Sequence, residues 1–371
     1  MSPVERSGPV GVGIIGAGTI ADQYLEQLTS FPDVEVRAIG DLNPEAAERR
    51  ATEYGVPRFG APEVVLEDQD IEIVVNLTIP AAHFEVSRTI LDAGKHVWTE
   101  KPLTTDPESA AELLRIADTH GLRVGGAPDT VLGGGLQTAL RAIRDGDIGT
   151  PMSALAMFQV PGPDSWHPNP AFLFQTGAGP LYDIGPYYLS TLVLALGPVR
   201  GVAAVASTAR PSRTIGSGPL AGQSFDVTVP TQVSALLSFE NGTNATVMLS
   251  FDSAHVHQGV VEIYGTDGTL VLPDPNVFDG DSRRIDYGGE DWTDVPLEGA
   301  IAGRGLGTLE MARALRAGVP HRLDGRIAAH VLDIMAAIDE AASSGSIVEV
   351  SSTCTAPSPM PADFDPTTAT L

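Results

Sequence analysis

The sequence predicts a protein of the α/β class with two folded parts, and two observations support this prediction. From Val10 to about Ala127, short apolar runs alternate with amphipathic segments, which is the pattern of a parallel sheet covered by helices. After Asp129 a long series of strands replaces this alternation and indicates an α+β part with a mainly antiparallel sheet. The length of 371 residues also favours two domains over one. We expect domains at 1–128 and 129–350, followed by a Pro/Ser/Thr-rich tail at 351–371.

Five strands are predicted in the first part, and one helix there has well-defined ends. Asp106 is a typical N-cap, Pro107 suits the first helical position, and Gly121 is a typical residue after a helix. The predicted strand segments are VGVGIIG from Val10, VEVRAIG from Val34, IEIVVNLT from Ile71, KHVWT from Lys95 and LRVGGA from Leu122. This alternation predicts a doubly wound sheet.

A glycine-rich turn follows the first strand, where Gly16, Gly18 and Ala21 have the spacing Gly-x-Gly-x-x-Ala. Gly16 permits a tight turn, Gly18 lets the backbone approach a pyrophosphate, and the following helix directs its N-terminus at the anion. Asp41 ends the second strand, where its carboxylate can accept hydrogen bonds from a ribose. The alternative is an ordinary turn, with Asp41 capping a helix. The combination predicts a Rossmann dinucleotide-binding domain.

The acidic Asp41 favours NAD as the cofactor, because a carboxylate repels the 2′-phosphate of NADP. NADP stays an alternative, since Arg49 and Arg50 follow closely in the sequence.

The segment Glu100-Lys101-Pro102 ends another predicted strand. A residue before proline avoids the helical region, so we expect Lys101 to be directed by a stiff, extended backbone. The alternative is a solvated surface lysine paired with Glu100.

At this point the sequence resembles the Gfo/Idh/MocA family of oxidoreductases, over almost the whole chain. The segments that carry the resemblance are VGIIGAG, Asp41, TIPAAHFEV from Thr78, AGKHVWTEKPL from Ala93, GDIGTP from Gly146 and GPLYDIGPYYLSTLVLALGPV from Gly179. The resemblance implies a large open sheet in the second domain, with one face often used for oligomerisation. A homo-oligomer, dimer or tetramer, built through that sheet is therefore expected.

The resemblance also implies site residues. Lys101 corresponds to the active-site lysine, and Asp183 and Tyr187 correspond to an Asp followed four positions later by His or Tyr. Tyrosine, with a reference pKa of ~10, needs help to accept a proton near neutral pH, and Lys101 is a candidate for that help. The expected catalytic residues are thus Lys101, Asp183 and Tyr187, and the expected cofactor contacts are Gly16, Gly18, Thr19, Ile20, Asp41, Pro80, His83, Glu100 and Lys101.

Two further segments of the second domain bear on the site. Residues Pro180 to Leu196 predict one helix that places Asp183 and Tyr187 on one face; the alternative is that Asp183 caps the helix and Tyr187 packs. The proline-rich segment Pro161 to Phe174 presents Trp166 and His167 as candidate substrate contacts, because an aromatic ring stacks on a sugar and histidine binds hydroxyls. The alternative is a rigid connector with a buried tryptophan.

Alternating apolar residues predict two hairpins, with turns at Asn241-Gly242 and Asp267-Gly268. His255 and His257 are two residues apart, but no third ligand is evident, and ordinary strand residues explain them better than a metal site.

Composition excludes several classes of partner. With 47 acidic and 22 basic residues the formal charge is −25, which repels nucleic acid and anionic membranes and favours a small-molecule partner. The single cysteine, Cys354, cannot form a disulfide framework within one chain, and the N-terminus resembles no signal peptide, so a cytoplasmic location is expected.

The function predicted is an NAD(P)-dependent oxidoreductase of carbohydrate metabolism, acting on a secondary alcohol or ketone of a polyhydroxylated substrate such as a sugar, cyclitol, polyol or glycoside. Two alternatives keep the cofactor. One is redox-neutral cleavage of a glycosidic bond through transient oxidation, and the other is a non-catalytic regulator that binds dinucleotide.

Overall fold

A computed structural model describes residues 7–371 of the chain. The chain forms two compact units, which we call the first and the second unit. Of the described residues, the first comprises residues 7–133, 299–329 and 360–371, and the second comprises residues 134–298 and 330–359. The predicted domain boundaries stay predictions. The expectation of no signal peptide rests partly on residues 1–6, which lie outside the described residues.

The secondary structure alternates in the first unit and is rich in strands in the second. The strands, in chain order, are β1 Val10–Ile15, β2 Val34–Gly40, β3 Arg58–Gly60, β4 Ile73–Asn76, β5 His96–Thr99, β6 Val124–Gly126, β7 Pro151–Gln159, β8 Val199–Ser207, β9 Ser212–Thr214, β10 Ser224–Asp226, β11 Gln232–Phe239, β12 Asn244–Ser250, β13 His257–Gly265, β14 Gly268–Leu272, β15 Ser282–Asp286, β16 Thr293–Val295 and β17 Val348–Glu349. The helices are α1 Ala21–Leu28, α2 Pro44–Tyr54, α3 Glu63–Leu66, α4 His83–Asp92, α5 Pro107–His120, α6 Gly134–Asp145, α7 Gly179–Asp183, α8 Gly185–Leu196, α9 Leu306–Arg316 and α10 Gly325–Ser344.

The first unit contains a six-stranded sheet with the order β3-β2-β1-β4-β5-β6. All of its strand pairs are parallel, which confirms the predicted doubly wound sheet. Successive strands are added on one side of β1 up to β3 and on its other side from β4, so the strand order reverses between β1 and β4. Ligands of such folds bind at that point, outside the carboxyl ends of the strands. Strand β3 was not predicted, because its three residues lie on the surface and have no apolar alternation.

Helix α5 begins and ends at the residues that the sequence predicted. The Asp106 side chain accepts a hydrogen bond from the Ser109 amide at 2.8 Å, Pro107 begins the helix, and Gly121 ends it with a positive φ of 66°. The predicted ends of this helix are therefore confirmed.

The second unit contains a nine-stranded sheet with the order β16-β15-β14-β13-β7-β12-β11-β8-β17. Only the β7–β12 pair is parallel among its described pairs, so the sheet is open and mainly antiparallel as predicted. Both predicted hairpins form, as β11–β12 and β13–β14. Along the first of them the predicted apolar set is buried: Val233, Ala235, Leu237, Phe239, Ala245, Val247, Leu249 and Phe251.

The predicted helix from Pro180 to Leu196 is divided. Helix α7 ends at Asp183 and α8 begins at Gly185, with Ile184 between them. Pro186 explains the division, since proline has no amide hydrogen to donate to the carbonyl four residues before it. The prediction of one continuous helix was wrong at this point.

The Pro/Ser/Thr-rich tail is divided between the two units, with residues 351–359 in the second unit and residues 360–371 in the first. The Arg313 guanidinium of α9 donates to the carbonyls of Asp365 and Thr368, and the Thr370 amide donates to Asp33 at 2.8 Å. None of the helices in the described part of the chain combines the length and the hydropathy that a membrane span requires.

Candidate active site

The glycine-rich turn after β1 lies against the end of β4. Gly16 has a φ of 107°, and a Cβ built on it would lie 2.6 Å from the carbonyl carbon of Leu77. Its amide donates to the Gly40 carbonyl at the end of β2, at 2.9 Å. Only glycine tolerates both the positive φ and the lack of room for a Cβ. The turn is therefore fixed between β1 and β4, where the strand order reverses.

Gly18, in the same turn, has open space where a side chain would project. A Cβ built on it meets no atom within 4 Å, whereas the Gly18 carbonyl accepts from the Ala21 amide, at the start of α1, at 3.1 Å. The open side and the N-terminus of α1 together fit a pyrophosphate.

Asp41 is tied to the glycine-rich turn. Its Oδ2 accepts from the Ala17 amide at 2.7 Å and its Oδ1 from the Asn43 amide at 2.8 Å. Each carboxylate oxygen keeps a second acceptor position that a ribose hydroxyl can use. The Nε of Arg50 forms an ion pair with Asp22 at 2.7 Å, so Arg50 is paired with a residue other than Asp41. Arg49 is exposed on α2.

Two exposed apolar residues at this edge were missed by the sequence analysis. Leu42 lies two residues after the end of β2 and is 93% exposed, and Ile79 lies three residues after the end of β4 and is 70% exposed. Apolar side chains in such positions can cover the faces of an adenine ring. Each directly follows a polar residue just beyond a strand, Asp41 or Thr78, which was the available sequence clue.

The turn after β4 is held by two buried polar side chains. The Asn76 amide donates to the His83 carbonyl at 3.1 Å and accepts from the Thr78 hydroxyl at 2.7 Å. The His83 ring lies between two carbonyl oxygens, with Nδ1 2.6 Å from Pro102 and Nε2 3.0 Å from Thr78. Burial lowers the pKa of His83, against the opposing effect of these carbonyls. The ring therefore links the turn to Pro102, and its predicted contact with a cofactor stays a prediction.

The buried side chain of Glu100 holds the backbone of Lys101 in place. Strand β5 ends at Thr99, and the Lys101–Pro102 peptide bond is cis. The Glu100 carboxylate is buried, accepts from the Tyr24 hydroxyl at 2.8 Å and accepts from the Lys101 amide at 2.9 Å. Arg304 Nη1 lies 3.8 Å from the same carboxylate. Tyr24 and Arg304 gave no indication of this role in the sequence.

Asp129, also in the first unit, is a fully buried carboxylic acid near this group. Its Oδ2 accepts from the amides of Gly305 at 2.7 Å and Gly307 at 3.3 Å, and its Oδ1 has no hydrogen-bond partner among the described residues. Burial raises the pKa of Asp129 to about 6, although Arg304 acts in the opposite direction. A protonated Asp129 is thus favoured in mildly acidic solution.

In the second unit, Asp183 is the last residue of α7 and Tyr187 lies in the first turn of α8. The Tyr187 amide donates to the Ile184 carbonyl at 3.1 Å, and its own carbonyl accepts from the Thr191 hydroxyl at 2.9 Å. The neighbouring Tyr188 is fully buried, and its hydroxyl accepts from the Gly259 amide at 2.8 Å. Asp183 is not an N-cap of either helix, so the capping part of the alternative was wrong, whereas Tyr187 is buried, which agrees with the packing part.

The segment Pro161 to Phe174, which we call the aromatic loop, presents aromatic rings to solvent. Trp166 is 67% exposed and Phe172 is 56% exposed. The His167 ring lies 5.6 Å from each of these two rings, edge to face, and its Nδ1 accepts from the Asn169 amide at 3.0 Å. The alternative of a buried tryptophan was wrong. Phe172 was missed as a neighbour, although it lies within the segment that the sequence analysis selected.

The rings of His255 and His257 lie 5.9 Å apart. Across residues 7–371, no group of three or more His, Cys, Asp or Glu side chains is arranged to hold a metal ion.

Comparison with known proteins identifies the family. Residues 10–126 match the profile described as "Oxidoreductase family, NAD-binding Rossmann fold", and residues 136–271 match the "GFO/IDH/MocA C-terminal domain".

Two curated relatives and one solved structure illustrate the similarity. The chain is 28% identical over 267 residues to a dTDP-3,4-didehydro-2,6-dideoxy-alpha-D-glucose 3-reductase of Saccharopolyspora spinosa, covering 71% of this chain and 74% of the relative. It is 27% identical over 296 residues to a levoglucosan dehydrogenase of Pseudarthrobacter phenanthrenivorans, covering 71% and 73% respectively. The solved apo structure of a levoglucosan dehydrogenase superposes with a TM-score of 0.82 at 22% identity, covering 94% of this chain and 100% of the other.

The two matched profiles together span most of the chain and agree with both the parallel and the antiparallel sheet described above. The chain therefore belongs to the Gfo/Idh/MocA family and is an NAD(P)-dependent oxidoreductase.

Proposed function

We propose that this oxidoreductase transfers a hydride between nicotinamide and a secondary alcohol or ketone of a sugar. One observation carries the proposal: the glycine-rich turn, Asp41, the Thr78–Pro80 turn and Lys101 all follow the carboxyl ends of strands in one parallel sheet. In folds of this order, that edge is where a dinucleotide binds.

The first unit would hold the dinucleotide through the residues predicted from the sequence. Gly16, Gly18, Thr19 and Ile20 would receive the pyrophosphate, and Asp41 the adenosine ribose. NAD is favoured over NADP because Asp41 is acidic and Arg50 is paired with Asp22. The nicotinamide, when bound, supplies the hydride acceptor or donor.

The proton that accompanies the hydride is assigned to Tyr187, with Asp183 orienting the substrate, and Lys101 stays a predicted catalytic residue of the first unit. A positioned acid or base contributes roughly 10²- to 10⁴-fold in rate. Tyr187→Phe should therefore reduce turnover by about that factor and leave NADH affinity unchanged. Tyr188→Phe is the matched control, since Tyr188 is fully buried and bonded to Gly259. Equal turnover of wild type and Tyr187→Phe would move the proton step to another residue.

The substrate class is inferred from the relatives and from the aromatic loop. A levoglucosan dehydrogenase and a dTDP-deoxysugar reductase are both named for sugar-ring substrates. Trp166 and Phe172 offer exposed rings on which the apolar face of a pyranose can stack, with the His167 ring between them.

The decisive assay follows the absorbance of NADH or NADPH with a panel of pyranoses, anhydrosugars, cyclitols and nucleotide-linked keto sugars, in both directions. Turnover with sugar-ring substrates and NAD supports the proposal. Release of a sugar from a glycoside without net NADH would instead support redox-neutral cleavage, and tight NADH binding without any turnover would support a regulator.

The lysine content of the chain gives a second test. Lys95 and Lys101 are its lysines, and the buried Lys95 ammonium donates to the carbonyls of Asp68 at 2.5 Å and Ile71 at 2.9 Å. Because Lys101 is only half-buried, reductive methylation followed by peptide mass spectrometry should modify Lys101 and leave the buried Lys95 unmodified in the folded protein. Saturating NADH should slow methylation of Lys101. Equal rates with and without NADH would contradict the placement of Lys101 beside the cofactor.

The predicted homo-oligomer is proposed to form through the nine-stranded sheet. Val205 and Leu236 are exposed apolar residues on the same face of the neighbouring strands β8 and β11. Leu236→Asp should reduce the mass measured by light scattering if this face is the interface, and an unchanged mass would exclude it. We place the protein in the cytoplasm, where its single cysteine, Cys354, stays reduced.

A further inference from the structure

One buried side chain of the second unit, that of Arg213, contacts both ends of the aromatic loop. Arg213 lies on β9 and its side chain is 3% exposed. Its Nη1 donates to the Pro161 carbonyl at 2.8 Å and to Asp164 Oδ1 at 2.7 Å, near the start of the loop. The guanidinium also lies 4.9 Å from the ring centre of Phe174, which ends the loop.

The other side of the guanidinium is fixed to the end of β12. Arg213 Nη2 donates to the Phe251 carbonyl at 2.6 Å and to the carboxylate of Asp252. Asp252 also accepts from the Thr231 hydroxyl and pairs with the exposed Arg210 at 3.3 Å. The rigid sheet therefore provides the fixed point to which the loop is attached.

Residues that follow β9 hold the middle of the loop. The Gly216 amide donates to the Asp164 carbonyl at 2.8 Å, and the Ser217 hydroxyl donates to the Trp166 carbonyl at 2.6 Å. The backbone at Gly216 passes so close that a Cβ there would lie 2.8 Å from the Ser165 carbonyl oxygen. The position of Trp166 is thus set by the strand that carries Arg213.

Arginine is suited to this position and lysine is not. Four of the five N–H groups of Arg213 have partners in four different residues, and a lysine ammonium has only three N–H groups, which diverge from one point. Asp164, Asp252 and Arg210 complete a group of two positive and two negative charges, so the buried guanidinium is electrically balanced.

We propose that Arg213 is a positioning residue for the sugar substrate: by fixing the aromatic loop to β12 it sets the orientation of Trp166, His167 and Phe172. This inference rests on the proposed function. The hydrogen bonds of the Arg213 guanidinium go to the aromatic loop and to the residues that follow β12, so its loss should affect substrate binding and leave NADH binding intact.

The test compares Arg213→Lys and Arg213→Met with Arg210→Met. The control removes the same charge from Asp252 at a side chain that is 60% exposed. Because small misplacements of positioning groups cost up to about 10²-fold, we expect kcat/KM for the sugar to fall roughly 10- to 100-fold in both Arg213 variants, mainly through KM. The Kd of NADH should stay within about twofold, and Arg210→Met should resemble wild type. An unchanged KM in folded Arg213 variants overturns the proposal.

Hydrogen exchange separates this proposal from the proposed function. The amides of Trp166 and His167 donate to the Pro163 carbonyl at 3.2 and 2.8 Å, and they should exchange faster in the Arg213 variants than in Arg210→Met. Unchanged exchange overturns the proposal even if the wild type proves inactive on every sugar, and that inactivity alone counts against the proposed function. If neither Arg213 variant folds, Asp164→Asn takes their place with the same expected rise in KM and in exchange, and wild-type values for it overturn the proposal.

Discussion

Replacement of the buried Asp129 by asparagine should change how the stability of the first unit depends on pH. Burial raises the pKa of Asp129 from its ordinary 3.8 to about 6. Below the pKa that Asp129 has in the unfolded chain, the carboxyl is protonated in both the folded and the unfolded state, so its burial does not lower the free energy of unfolding through ionisation. As the pH rises towards 6 the unfolded chain ionises while the folded chain keeps its proton, so stability falls. Above the folded pKa the loss is complete at about 3 kcal/mol, from about 1.36 kcal/mol per pKa unit.

Asparagine has nearly the same shape and does not titrate. Relative to wild type, Asp129→Asn should therefore gain about 3 kcal/mol of unfolding free energy between pH 3.5 and pH 7. Chemical denaturation at a series of pH values measures this difference. The chain contains three tryptophans, so a Trp166→Phe, Trp292→Phe background leaves the buried Trp98 of the first unit as the fluorescent reporter.

A control of opposite sign is available in the same unit. Burial acts to raise the pKa of Asp33, but hydrogen bonds from Thr370 and Arg313 outweigh it and hold the pKa below its ordinary value. Asp33→Asn should therefore lose stability relative to wild type as the pH rises from about 3 to 5. If Asp129→Asn shows the same pH dependence as wild type, the reasoning from burial is refuted.

Four further substitutions test local features. Gly16→Ala should destabilise the first unit, because its Cβ would lie 2.6 Å from the Leu77 carbonyl carbon, whereas Gly18→Ala should keep the melting temperature and weaken NADH binding measured by titration, since its Cβ meets no protein atom. Asp106→Ala should cost about 1 kcal/mol in denaturation through loss of the cap on α5, and full stability would contradict the cap. Leu249→Ala should cost about 2–5 kcal/mol in unfolding of the second unit, because its side chain is fully buried, and a cost below about 1 kcal/mol would contradict that burial.

Local chemistry in the sequence was sufficient to predict several elements. The cap at Asp106, the turn at Asn241-Gly242 and the glycine spacing after β1 each depend on residues that are close together in the chain. The parallel order of the first sheet followed from the alternation of strands and helices. The division at Ile184 was not predicted, because the apolar residues continue through Pro186 and hide the point at which the backbone hydrogen bonds are interrupted.

Contacts between distant parts of the chain could not be predicted in this way. Glu100 is bonded to Tyr24, 76 positions earlier, and Asp129 accepts from Gly305, 176 positions later. The attachment of the aromatic loop depends on Arg213, 49 positions after Asp164. In each case the local sequence shows only an ordinary charged residue, and its role is decided by which segment packs against it.

The first unit is built from three separate segments of the chain, and this affects the order in which the two units fold. Residues 360–371 are translated after every residue of the second unit, yet Thr370 is bonded to Asp33 beside the first sheet. The segment at 299–329, which supplies the amides that bind Asp129, is also translated after most of the second unit. During synthesis the antiparallel sheet can therefore be completed while the nucleotide-binding part still lacks its closing segments. Nascent chains should thus acquire protease resistance in the second unit first, although the first unit begins at the N-terminus.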